Sequence, residues 1–311
     1  MSPKFYIQGK YKMRIDITEY NSKKYKLKIV AIVIAALLFI ASFSMLGIYC
    51  AKSYKLKLIT SKKENASIAL KDNYSNKEDI TQKEQEKKAL APIYSEKSKT
   101  QMSNIYNIDS KIAYLTFDDG PSQAVTPFIL DLLKQENIKA TFFVLGTNVK
   151  NNPDIVKRAY LEGHYIANHG YTHNYSQLYK SAKNVLEEYN KTEKQIQKAI
   201  GNSKYSSHLF RFPGGYEGGK YEKIKKEAGK LLNENKISFI DWNVLTGDAE
   251  GANTKEKILN NIKKHTKDKK NIVILMHDSS SKILTYETLK EVIEYLRNEG
   301  YTFDNFYSIM Q

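Results

Sequence analysis

Thr116-Phe117-Asp118-Asp119-Gly120-Pro121 closes the apolar run Ile112-Ala113-Tyr114-Leu115. A β-rich run that stops at two adjacent carboxylates followed by Gly-Pro reads as a buried strand. It delivers Asp118 and Asp119 to its carboxyl end, where the turn begins. That end is where α/β sheets and barrels keep their chemistry. Side chains alternate along a strand, so the two aspartates point differently and suit two jobs, one beside a metal and one beside a reacting water. The hexapeptide alone is equally an ordinary Asp-Asp-Gly-Pro turn, and the rest of the chain decides between the two.

From Asp109 onward strand-like and helix-like runs alternate. Strands are expected at Ile112–Phe117, Ala140–Leu145, Tyr165–Asn168, Leu209–Phe212, Ile237–Trp242, Ile272–Met276 and Tyr301–Phe303. Helices are expected near Thr126–Gln135, Pro153–Glu162, Ala182–Gly201, Tyr221–Asn233, Lys255–Lys264 and Tyr286–Gly300. Such alternation implies parallel strands joined by helical crossovers. Seven strands of this kind suit a small or incomplete (β/α) barrel better than a helical bundle.

Ahead of this domain, residues 29–50 run for 22 residues without a charge or a proline. As a helix they would span about 33 Å, enough to cross a bilayer, so a single transmembrane helix is expected there. No Ala-x-Ala-like site follows, which favours an uncleaved anchor over a signal peptide. The net charge of +15 suggests a nucleic-acid partner until it is located. Residues 1–28 carry a net +6 and residues 51–107 a net +5, so only +4 is left for the rest. The basic segments are therefore a tail and a polar linker, and no nucleic-acid motif appears in them. Seven Lys or Arg lie within 20 residues before the span and five after it, which leans toward a cytoplasmic tail, residues 1–28, and an extracellular linker, residues 51–107. A single cysteine, Cys50, excludes internal disulfides and cysteine-based zinc sites.

Further polar residues gather where strands are expected to end. His169-Gly170-Tyr171-Thr172-His173 sets two imidazoles four residues apart, which on a helical turn would give one metal ion two nitrogen ligands. Gly170 stands where the protease motif has its glutamate base, so Asp118 and Asp119 are left to supply a base and an oxygen ligand. Arg211-Phe212-Pro213-Gly214-Gly215 brings an obligate cation able to lower the pKa of a carboxylate base. Its glycines let backbone N–H groups approach an oxyanion. Trp242 to Asp248 reads as a strand leading to a carboxylate, and Ile272-Val273-Ile274-Leu275-Met276-His277 as a strand ending in a histidine. Polar groups from several strand ends converging on one face are the pattern of a catalytic site.

Taken in order, Asp118-Asp119 in TFDDGP, His169 and His173, Arg211-Phe212-Pro213, Asp248 and Leu275-Met276-His277 resemble the five motifs of the polysaccharide deacetylases. These form the NodB-homology domain of carbohydrate esterase family 4. The resemblance covers residues 108–311 and implies a distorted (β/α) barrel that removes acetyl groups from N-acetylated sugars with a metal. It implies Asp118 as general base, Asp119, His169 and His173 as ligands of one divalent ion, Zn²⁺ before Co²⁺, and His277 as general acid. Arg211 would orient Asp118, Asp248 would tune His277, and Leu275 would line the pocket for the acetyl methyl. Gly214 is a candidate oxyanion donor, and Pro213 and Tyr216 complete the substrate-binding set.

The fourth motif departs from its usual Asp-x-x-Asp-Trp form, because Leu245 replaces the first aspartate and Ala249 the tryptophan. A tryptophan there walls the acetyl pocket, so the pocket is expected to be wider, or Tyr216 to fill in. The anchor and the resemblance together point to a cell-surface polysaccharide, peptidoglycan N-acetylglucosamine ahead of N-acetylmuramic acid, an exopolysaccharide, chitin or xylan. The rival expectation, a non-catalytic carbohydrate-binding barrel, rests on the altered fourth motif.

Overall fold

The strand that the sequence marks as central, β1 (Ile112–Asp118), is central in the molecule. In the computed structural model, which describes residues 91–310, it pairs in parallel with β7 (Ile272–His277) along one edge. On its other edge β2 (Thr141–Val144) takes its end and β8 (Thr302–Asp304) its beginning. β3 (Tyr165–Asn168), β4 (Leu209–Phe210) and β5 (Ser238–Phe239) follow beyond β2, and β6 (Val244–Leu245) lies beyond β7. All of these pairings are parallel. The described residues hold eight strands, and β6, only two residues long, lies within the run Trp242 to Asp248 that reads as a strand leading to a carboxylate. The edge strands β5 and β6 are not bonded to one another, so the sheet curls without closing.

Both faces of this sheet are buried, which is why its strands read as near-continuous apolar runs. Ala113, Leu115 and Phe117 of β1 join Ile272, Ile274 and Met276 of β7 in the core beneath the outer helices. Tyr114 and Val273 turn inward to a second cluster with Phe143, Tyr165, Leu209 and Phe306. Alternation then sends Thr116, Asp118, Leu275 and His277 to the inner side as well. Outside lie α2 (Thr126–Gln135), α3 (Gly146–Asn151), α4 (Pro153–Leu161), α5 (Tyr175–Leu178), α6 (Ala182–Ile200), α7 (Glu222–Glu234), α8 (Lys255–Thr266) and α9 (Ile283–Asn298). The longest, α6, starts where the Ser181 side chain accepts from the Asn184 N–H and stops at Gly201 in the left-handed conformation.

The folded unit begins earlier than the linker expectation allowed. Residues within the expected 51–107 spacer form α1 (Glu96–Ser103) and a 3-10 turn, Ile105–Asn107. Met102 and Ile105 are buried in the inner cluster beside Phe306, Tyr307 and Met310, and the Ile93 N–H bonds the Met310 carbonyl at 2.8 Å. Two apolar residues placed to reach an open sheet are enough to dock a segment whose composition is otherwise that of a spacer. The expected tail and transmembrane run lie outside the described residues. Among the described residues no helix is long and apolar enough to cross a membrane.

Candidate active site

Register alone sets the first pair of groups. Asp118 and His277 are Cα partners on β1 and β7, so both side chains leave the carboxyl end of the sheet on its inner side. Arg211, just past β4, is fully buried and fills the lumen below them. Its Nη1 donates to Asp118 Oδ1 at 2.9 Å and to Thr116 Oγ1 at 2.6 Å. Its Nε and Nη2 donate to the Ile240 and Asp241 carbonyls at 3.1 and 3.0 Å. The guanidinium also lies 4.0 Å from the centre of the Phe143 ring, a cation–π contact. Burial pushes the Asp118 carboxyl upward, and the Arg211 charge, followed by that of His277, pulls against it.

Asp119 takes the left-handed conformation, with φ at 73°. Its Oδ1 lies 3.6 Å from His169 Nε2 and 3.4 Å from His173 Nε2, and it is buried with no hydrogen-bond partner. His169 Nδ1 donates to the Arg211 carbonyl at 2.8 Å, which leaves Nε2 bare and facing the carboxylate. Burial holds the His169 imidazole down at about 3, so it is neutral. One atom from each of Asp119, His169 and His173 falls within 4.8 Å of the others. An orphaned buried oxygen facing two ring nitrogens is a donor set that can hold a divalent cation.

The two histidines are not on a helical turn as expected. They sit in the loop between β3 and α5, with φ positive at Gly170 and His173. That loop is held from behind by Glu188 of α6, whose carboxylate accepts from the Tyr171 and Thr172 N–H groups at 2.9 and 3.1 Å and from Thr172 Oγ1 at 2.9 Å. Asn168 Oδ1 accepts from the Gly170 N–H, and its Nδ2 donates to Glu193 Oε1, both at 3.0 Å. Sequence reasoning missed Glu188, Asn168 and Glu193. The available signal was two acidic residues on the otherwise apolar stripe of α6, among Val185, Tyr189, Thr192 and Ile196.

On the other side, His277 Nδ1 lies 2.9 Å from Asp248 Oδ1, and the His277 N–H donates to Asp248 Oδ2 at 2.8 Å. Thr285 Oγ1 and Lys282 Nζ, at the start of α9, add bonds to the Asp248 carboxylate and carbonyl at 2.7 and 2.8 Å. Burial opposes charge on the His277 ring, but Asp248, aided by Asp118 and Asp119, outweighs it and holds the imidazole up at about 9. Asp278, next in the chain, is a buried carboxyl pushed up to about 7 by desolvation and then by Asp119 and Asp118. It accepts from Thr126 Oγ1 at 2.6 Å, and its carboxylate lies so close to Gly120 that an added Cβ there would stand 2.1 Å from Oδ2. Only glycine fits at that point of the Asp-Asp-Gly-Pro turn.

Leu245 pairs with Leu275 across β6 and β7, so the altered fourth motif sets two leucines together below His277, while Ala249 is exposed. Tyr216 does not fill the gap. Its N–H is held by the Asp241 carboxylate, and its ring lies 4.4 Å from Phe239 and 5.1 Å from Phe212, in the outer layer. The aromatic beside the cluster is Tyr175, which no expectation named. Its ring is 5.3 Å from that of His173, it is 38% exposed, and its hydroxyl occupies the space where a Cβ at Gly214 would go. Gly214 has φ at 76°, and its N–H has no partner among the described residues. Pro213 is fixed by the Tyr179 hydroxyl, which donates to its carbonyl at 2.6 Å. A cavity of about 810 Å³ between Lys111, Lys267, Lys270 and Tyr301 contains none of these groups.

A buried carboxylate, a charged imidazole and a cluster able to hold a cation are grouped at the end of one sheet, the arrangement a hydrolytic centre uses. Residues 106–232 match the family described as polysaccharide deacetylase. A peptidoglycan-N-acetylglucosamine deacetylase of Bacillus cereus is 36% identical over 217 residues, which cover 68% of this chain and 75% of the relative. The structure of a Streptococcus mutans CE4 esterase aligns with a TM-score of 0.59 at 32% identity, covering 69% of this chain and 92% of that one. The catalytic domain of peptidoglycan N-acetylglucosamine deacetylase from Eubacterium rectale aligns with a TM-score of 0.57 at 31% identity, covering 62% and 87%. The chain belongs to the polysaccharide deacetylase family, and it is an enzyme of that class.

Proposed function

We propose that the protein hydrolyses the N-acetyl amide of N-acetylglucosamine in peptidoglycan, releasing acetate and leaving a free amine on the glycan. The observation that carries this reading is the pairing of Asp118 with His277 beside the Asp119, His169 and His173 cluster, with Asp118 Oδ2 only 3.8 Å from His169 Nε2. The choice of substrate is supported by the Bacillus cereus and Eubacterium rectale relatives.

In this reading Asp119, His169 and His173 would hold one divalent ion, Zn²⁺ before Co²⁺, since two imidazoles and a carboxylate suit a borderline ion. Such an ion would polarise the amide carbonyl and make water a better nucleophile. Asp118 takes the proton of the attacking water, with its other oxygen pinned by Arg211. The Gly214 N–H donates to the oxygen that becomes negative as the carbonyl carbon turns tetrahedral. His277, charged through its contact with Asp248, gives its proton to the nitrogen as the C–N bond breaks. Leu275 and Leu245 supply an apolar floor for the acetyl methyl.

The uncharged run 29–50 is assigned as a membrane anchor, with residues 1–28 cytoplasmic and the enzyme outside, facing the wall. The deciding experiment is acetate release by the full-length protein from peptidoglycan and from N-acetylglucosamine oligomers, with and without chelator, beside Asp118→Asn. Chelator-sensitive release that is lost in the variant supports the proposal. Release from another acetylated polymer alone would replace the substrate, and none from any would overturn the reading.

A further inference from the structure

A polymeric substrate extends beyond the sugar that reacts, and a pyranose ring offers the protein hydroxyls at its edge and C–H groups on its faces. Exposed aromatic side chains suit those faces, because the negative face of the ring attracts C–H hydrogens and the contact removes apolar area from water. Two exposed apolar residues of this chain lie where such a contact would be useful. Phe128, 46% exposed, is in the first turn of α2, and Ile283, 43% exposed, is in the first turn of α9. Both turns follow the carboxyl ends of the central strands β1 and β7. Tyr286 joins them, with its ring 5.4 Å from that of Phe128 and three residues from Ile283 on the same helical face. Single exposed apolar residues are ordinary, but a contiguous group on the rim of an active site is not.

Buried neighbours tie the helix turns that carry the patch to the catalytic groups. Thr285, between Ile283 and Tyr286, donates to the Asp248 carboxylate that partners His277, and neighbouring Lys282 donates to the Asp248 carbonyl. Thr126, two residues before Phe128, donates to Asp278. We infer that Phe128, Tyr286 and Ile283 form a glycan subsite, holding the sugar rings that flank the reacting residue on the His277 side. The inference rests on the polysaccharide deacetylase reading and adds where the rest of the substrate chain lies. It makes chain length, rather than the reacting sugar alone, a determinant of rate.

The test uses the full-length protein with Phe128→Ser, Ile283→Ser and the two combined, each with its melting temperature recorded. Acetate release is measured on the disaccharide and the hexamer of N-acetylglucosamine, and co-sedimentation with insoluble peptidoglycan is measured in the presence of chelator. The expected result is that kcat/KM for the hexamer relative to the disaccharide falls roughly tenfold in the double variant, with weaker co-sedimentation. An unchanged ratio with unchanged co-sedimentation overturns the inference. So does an equal loss on both substrates at a preserved melting temperature, because the residues would then act at the reacting sugar. If the wild type releases no acetate from either oligomer, the deacetylase reading fails, and co-sedimentation alone decides the subsite.

Discussion

His277 is the residue on which the pH behaviour turns. Its folded pKa of about 9 lies above the ordinary 6.5, so the proton needed by the leaving amine is present through neutral pH and lost only as pH rises through 9. The alkaline limb of kcat/KM should fall near pH 9. Asp248→Asn should move it down by roughly one to two pH units, because the main source of the upward shift is removed. A limb that does not move would show that another group sets it. The same proton stabilises the fold: this contribution, on the order of 3 kcal/mol, is complete below the unfolded value of 6.5 and lost as pH rises through 9. His277 and Asp248 were legible in the sequence because each ends a strand-like run. Tyr175 and Glu188 were not, because they reach the site from a loop and an outer helix, and no one-dimensional spacing records that approach.

Two elements decide whether the site keeps its shape. The loop carrying His169 and His173 has no regular structure of its own and is held by the three bonds to Glu188. Glu188→Ala should weaken Zn²⁺ binding about 10- to 100-fold in a competition titration, while the same substitution at exposed Glu187 leaves it unchanged. The other element is the segment 93–107, whose Met102 and Ile105 are buried against the inner cluster. Starting the chain at residue 108 rather than 91 should cost roughly 3–6 kcal/mol, read by denaturant unfolding, since two large apolar side chains lose their burial. Composition concealed this segment, because its polar residues outnumber the two that matter. By contrast, Thr126–Gln135 and Tyr165–Asn168 matched their expected limits, since in each the apolar pattern is uninterrupted and ends at a clear turn.

At the scale of the whole molecule, the sequence implied parallel strands with crossovers, but not their order. The order depends on β7 returning to the middle beside β1, a pairing across more than 150 residues that no local pattern encodes. Most of the +15 lies before residue 108, on both sides of the uncharged run 29–50. Removal of residues 1–50 should release the enzyme from the membrane fraction, seen by immunoblot, without altering kcat/KM on soluble oligomers. If the shortened protein stayed with membranes, the anchor assignment would be wrong. Arg211 reaches across the unclosed sheet, bonding Thr116 and Asp118 of β1 and the two carbonyls that follow β5. Removing either partner of the Arg211–Asp118 pair to Ala strands a buried charge, which costs about 3–5 kcal/mol. Loss-of-function alleles should therefore divide by abundance. Cells carrying Arg211→Ala or Asp118→Ala should contain little of the protein, whereas those carrying His173→Ala, at a half-buried loop position, should accumulate it, folded and idle.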